Sequence, residues 1–229
     1  MEAQTIIEYG ARLLIIFMIL PIHEFAHAYC AYKLGDNTAL YKGRLTMNPL
    51  AHIDLLGAVC LLFSGFGWAK PVPVNPLKFK KYRRDMALTS LAGPLSNVIV
   101  AFLATIGFRF AIALNNDKYM LEDGIIYYMT GTNDEPIYYL ILLLYFFISV
   151  NIGLAIFNMI PIPPLDGSKI LSYFTSAKYE KFLYENQMMI RIVFIVAVVS
   201  GILSKPLGFL GEKVFDFFIL ITNWIEKLV

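Results

Sequence analysis

From about Leu13 to Leu34 the chain is apolar for the length of a bilayer-spanning helix, yet inside that run it carries His23, Glu24 and His27. Ionisable side chains in lipid are costly, so such a segment folds only against other protein that satisfies them. Backbone N–H and C=O groups cannot face lipid unpaired either, which restricts the spans to helices packed around a shared interior. With 58% hydrophobic residues, 16% charged residues and a mean hydropathy of +0.63, the chain is too apolar for an ordinary soluble domain.

Apolar segments at roughly 9–34, 86–114, 137–162, 189–204 and 207–225 qualify or nearly qualify as spans, predicting four to five transmembrane helices. The last is the weakest, because Glu212, Lys213 and Asp216 interrupt its start. Residues 53–64 are apolar but too short to cross, which predicts a re-entrant or interfacial segment. Glu2 and Glu8 stand where a removable signal peptide would carry basic residues, so the first run is expected to stay in the mature protein. Gly43 to Met47 reads as a short strand, and Val alternates with Pro in an extended Lys70-Pro71-Val72-Pro73-Val74-Asn75 stretch beside it. The expected fold is therefore an all-α polytopic membrane protein with a re-entrant segment and short β-strands on the cytoplasmic side. It forms a single domain over 1–229, with a core over about 9–170 and C-terminal helices over about 189–229.

Lys70, Lys78, Lys80, Lys81, Arg83 and Arg84 crowd one loop, whereas the 115–136 loop has Lys118 alone among Asp117, Glu122, Asp123, Asp134 and Glu135. The excess of basic residues places the first loop in the cytoplasm, against anionic lipid head groups, and the second outside. On this topology His23 to His27 and the end of the 137–162 helix meet at one depth, towards the cytoplasm. A net charge of +2, with basic residues confined to loops, gives no reason to expect a nucleic-acid partner. Cys30 and Cys60 lack CxxC spacing and read as small buried hydrophobes.

The polar groups have the spacing of a metal site. In a helix, residues four apart lie about 40° apart around the axis, so His23 and His27 can direct two imidazoles at one Zn²⁺ with Glu24 beside it. A catalytic zinc takes three protein ligands and keeps a fourth position open. Asp166, in Asn158-Met159-Ile160-Pro161-Ile162-Pro163-Pro164-Leu165-Asp166-Gly167, is the candidate third ligand, and His52 and Asp54 are alternatives for that place or for a supporting pair. Zinc would acidify water and polarise a scissile carbonyl while Glu24 moves the proton. Hydrolysis needs water in the bilayer, and helix breaks at Pro21 and Pro161 to Pro164, with Asn97, Asn151 and Asn158, are candidates for lining a wet path. Asn151 is favoured as interhelical glue.

These motifs resemble the site-2 protease family, intramembrane zinc metalloproteases of the short bacterial or archaeal type. The resemblance rests on the HEFAH and NMIPIPPLDG runs, on Gly43 to Pro49, on Gly67 to Pro76 and on Ala92-Gly93-Pro94-Leu95-Ser96-Asn97, which cover about residues 15 to 170 in the family's order. It implies that His23, His27 and Asp166 bind one zinc per chain, that Glu24 is the general base, and that Asn158 lies near the attacked carbonyl. The expected partners are transmembrane protein substrates and the lipid bilayer. The expected location is a prokaryotic plasma membrane, crossed several times, with the active site towards the cytoplasm. No PDZ or CBS appendage is expected within 229 residues. Lys70 to Asn75 is a candidate for holding an unwound substrate, against the alternative of a loop that merely caps the domain. A scaffold that binds zinc and substrates without cutting is the main competing function, and intact Glu24 speaks against it. A zinc transporter would need polar residues along a full path between the faces.

The topology is open to direct test. In a chain freed of Cys30 and Cys60, a cysteine at Asn116 should react with an impermeant thiol reagent from outside intact cells, and one at Lys80 should not. The reverse labelling would invert the assignment.

Overall fold

The computed structural model describes residues 9–10, 12–64, 67–115, 119–122, 125–128 and 136–228. Helix α1, Arg12–Lys33, continues through Pro21, where the sequence suggested a break. Pro21 has no N–H to give the preceding turn, and the chain accommodates it by winding Ile15–Ile19 as a π-helix just before the α-helical stretch Leu20–Lys33. Three short helices follow: α2 (Thr38–Tyr41), α3 (Pro49–His52) and α4 (Leu55–Ser64). The 10 residues of α4 extend about 15 Å, half the hydrocarbon thickness, in keeping with a segment too short to cross.

Helix α5, Tyr82–Ala113, is the element the others share. Its 32 residues reach about 48 Å, further than the roughly 30 Å of hydrocarbon. It packs against α1, against α6 (Pro136–Asn158) and against α7 (Asp166–Phe174). Helices α8 (Ala177–Glu185), α9 (Gln187–Val199) and α10 (Ser204–Ile221) complete the chain. A terminal 3₁₀ turn, Asn223–Lys227, folds back on α5, where buried Arg109 meets Glu226 at 2.8 Å and Asn223 at 3.0 Å. The apolar core joins Phe108 and Ile112 of α5 to Ile141, Ile148 and Ile152 of α6 and Phe215 and Phe218 of α10.

The chain is a polytopic helical membrane protein, with three or four candidate spans among the described residues against the four to five expected. Among the described residues, α1, α5 and α6 combine the length and apolarity of a span, and a fourth exists if α8 and α9, bent by 73°, act as one. The segment expected at 207–225 does form α10, but Lys205, Glu212, Lys213 and Asp216 make it too polar to count.

The β-strands expected on the cytoplasmic side are not formed. Gly43 adopts φ 63°, which ends α2 in a left-handed turn instead of starting a strand. Lys70 to Asn75 is extended but joins no ladder: the contact nearby is a single bridge between Ile53 and Ala69. Pro71 and Pro73 have no N–H, and three of the remaining donors are bonded within the protein. Lys70 N–H donates to His52 O at 2.9 Å, Val72 N–H to Glu24 Oε2 at 2.8 Å and Asn75 N–H to Asp36 Oδ2 at 2.6 Å. The strands among the described residues are Tyr119–Glu122 and Ile125–Tyr128, an antiparallel hairpin in the loop expected outside. Asp117, Lys118, Asp123, Asp134 and Glu135 of that loop lie outside the described residues.

Asp36 thus fastens two segments, since it also accepts from the backbone and hydroxyl of Thr38 and is fully buried. Asp36→Ala should lower stability by about 2 kcal/mol or more and raise protease sensitivity around residues 70–75. Parental stability and parental cleavage kinetics would show the fastening to be unimportant.

Candidate metal centre

The site forms where α1, α5 and the start of α7 meet. Gly93 allows the approach of α1 to α5: a Cβ there would lie 2.3 Å from His27 Nε2 and 2.7 Å from His23 Cε1. Gly167 does the same for α7, because a Cβ would lie 2.2 Å from the Met159 carbonyl oxygen. With both side chains missing, the chain reversal after α6 returns Asp166 to the histidines.

His23 Nε2 and His27 Nε2 stand 3.0 Å apart, and Asp166 Oδ2 lies 3.4 Å from the first and 3.1 Å from the second. Three donors bound at about 2.0 Å to a tetrahedral ion are separated by about 3.3 Å, so these spacings suit zinc. The other ring nitrogens are engaged: His23 Nδ1 meets Asn97 Oδ1 at 2.6 Å, and His27 Nδ1 meets the Thr89 carbonyl at 2.7 Å. Both acceptors call for the proton on Nδ1, which leaves the Nε2 lone pairs for a cation. The donor set is a carboxylate and two imidazoles with Nε2 turned to a common centre, a set that fits a zinc ion. Among the described residues these three form the one group of histidine, cysteine or carboxylate donors close enough to hold a metal.

A cavity of about 170 Å³ opens over this group, lined also by Glu24, Val72, Val74, Asn158 and Lys169. Glu24 stays outside the donor triangle, and its carboxylate accepts the Val72 N–H. Asn158, the last residue of α6, donates to the Leu154 carbonyl at 3.0 Å and faces the same cavity. Pro71 lines it as well, whereas Lys70, Pro73 and Asn75 do not. Lys70 instead receives the Arg44 guanidinium on its carbonyl at 2.5 Å, and the Asn75 side chain caps Leu77.

His52 and Asp54 lie apart from the three donors. His52 Nε2 is bonded to the Thr46 carbonyl at 2.8 Å, and Asp54 accepts the Gly57 N–H. Asn97 and Asn151 do not line the cavity over the donors: both are fully buried and bonded to each other. Lys169 was missed from the sequence, and its ammonium lies 3.8 Å from Asp166 Oδ1. Its position one helical turn after Asp166 was the available signal. Arg83, expected at the lipid surface, bonds Glu180 at 2.9 Å and the Thr175 carbonyl at 3.0 Å. A larger cavity, about 860 Å³, lies between α6 and α10 and contains Glu212 and Asp216. It holds no histidine and shares no lining residue with the cavity over the donors.

Comparison with known proteins converges on one family. The profile of peptidase family M50 matches residues 11–201. YwhC of Bacillus subtilis (strain 168), named as a candidate zinc metalloprotease, is 39% identical over 197 residues, covering 85% of this chain and 81% of its own. Rip2 of Mycolicibacterium smegmatis (strain ATCC 700084 / mc(2)155), named likewise, is 24% identical over 91% of this chain and 75% of its own. MJ0611 of Methanocaldococcus jannaschii, also named likewise, is 29% identical over 66% of this chain and 63% of its own. No solved structure matches the chain.

If Asp166 completes the donor set, Asp166→Ala should take bound zinc well below one per chain, while His52→Ala should leave the content near that of the parent. Metal analysis of the purified variants decides it, and full retention of zinc by Asp166→Ala would remove Asp166 from the set.

Proposed function

Because this chain is a zinc metalloprotease of peptidase family M50, the site-2 protease family, we propose that it hydrolyses peptide bonds within transmembrane segments of other membrane proteins, using one zinc held by His23, His27 and Asp166. The observation that carries this reading is the donor triangle at the packed junction of two membrane-spanning helices, with the Glu24 carboxylate in the same cavity but outside the donor set. Zinc, when bound, supplies a Lewis acid that acidifies water and polarises the scissile carbonyl.

The chain's own groups do the rest. Glu24 reaches the cavity without joining the donors, so it can take a proton from the attacking water and return it to the leaving amine. Asn158 and Lys169 flank the cavity and offer donors towards the oxygen on which charge develops. Pro71, Val72 and Val74 form one wall that contacts the unwound substrate through side chains, while the bonds of Lys70 and Asn75 hold that wall in place. The Val72 N–H also orients the Glu24 carboxylate. The excess of basic residues from Lys70 to Arg84 supports a cytoplasmic side for this cavity.

Glu24→Gln separates a protease from a binding scaffold. It should keep zinc and fold and lose cleavage of a single-span substrate by at least about 100-fold, the lower end of what a positioned proton carrier contributes. Cleavage by that variant at more than a few per cent of the parental rate would assign the base to another group.

A further inference from the structure

Asn97 of α5 and Asn151 of α6 are both fully buried in the helix bundle, and the polarity of their contact is settled by a backbone group. Asn151 Nδ2 donates to the Phe147 carbonyl at 2.8 Å, and a carbonyl oxygen can only accept. Asn151 Oδ1 must therefore face Asn97, whose Nδ2 donates to it at 2.8 Å. That turns Asn97 Oδ1 to His23 Nδ1 at 2.6 Å, where only a protonated Nδ1 makes a bond. Two amides thus carry the direction of one carbonyl in α6 across α5 to an imidazole in α1.

We propose that Asn151 and Asn97 are positioning residues that select the metal-binding tautomer of His23. The inference rests on the zinc reading given above. An Asn amide alone does not choose: turned over, Asn97 would present an N–H to His23, which would then need a bare Nδ1 and a proton on Nε2. That tautomer cannot bind zinc through Nε2. Asn151 removes the choice, because turning Asn97 over would set its carbonyl against the Asn151 carbonyl with no donor between them. Simple interhelical glue has no such direction. A ligand imidazole whose second nitrogen is held this way gains in orientation and basicity, and loss of such a partner commonly weakens metal binding by about 10- to 100-fold.

The test measures zinc affinity of the full chain in detergent by competition with a chelator, and needs no substrate. Asn151→Leu should weaken zinc by about 10-fold or more, and Asn97→Leu should do the same. Asn97→Asp should stay within a few-fold of the parent, because a carboxyl group can turn a protonated oxygen to Asn151 Oδ1 and still present an accepting oxygen to His23 Nδ1. In the N97D background, Asn151→Leu should then have little further effect. The proposal is overturned if N151L binds zinc as the parent does, or if Asn151→Leu weakens zinc as much in the N97D background as alone, which is what packing loss predicts. Should N151L fail to fold, N97L against N97D decides the matter: equal affinities overturn the proposal. A parent chain that binds no zinc would overturn the zinc reading itself and is recognisable before any variant is made.

Discussion

An imidazole has two ring nitrogens, and in a bilayer interior neither can be left without a partner. The organisation of this chain follows from meeting that demand twice. Helix α5 supplies the inner partner for both rings, Asn97 Oδ1 for His23 and the Thr89 carbonyl for His27, and so must lie against α1 at van der Waals distance. Gly93 makes the distance possible, and Pro94 beside it has no N–H to give to the Ser90 carbonyl one turn back, which loosens the helix ladder near the cavity. Contact with α6 and α7 also holds α5.

The third donor arrives by a different route. Asp166 opens α7, where the helix N-terminus favours a carboxylate, and Gly167 lets that turn sit directly under the Met159 carbonyl. A metal joining Asp166 to the two histidines therefore ties α1 to α7 across α5. Binding at such a junction contributes to the stability of the folded bundle as well as to chemistry.

The parts that were legible in the sequence are local. Apolar length marked α1, α5 and α6, and the four-residue spacing of His23 and His27 marked one helical face. The partners of those rings were not legible, because Thr89 and Asn97 lie 62 and 74 residues away in the chain and nothing local says which carbonyl or amide will arrive. Pro21 shows a local rule absorbed by another: the missing N–H that suggested a break is met by a π-turn. The Val–Pro alternation at residues 71–74 signalled extended backbone, and that conformation is present. Pairing was the error, since strand formation depends on where the donors go, and Glu24 and Asp36, far apart in sequence, take two of them.

That last feature bears on how the protein stays apart from its neighbours in a crowded membrane. An extended segment beside a cavity that handles unwound apolar chains would, with a free row of N–H groups, be a template for sheet growth and aggregation. Here Pro71, Pro73 and Pro76 contribute no N–H, and those of Lys70, Val72 and Asn75 are already bonded within the protein. An unwound chain meeting this wall finds side chains, carbonyls and the N–H of Val74, but no continuous row of donors to extend, so it can leave again.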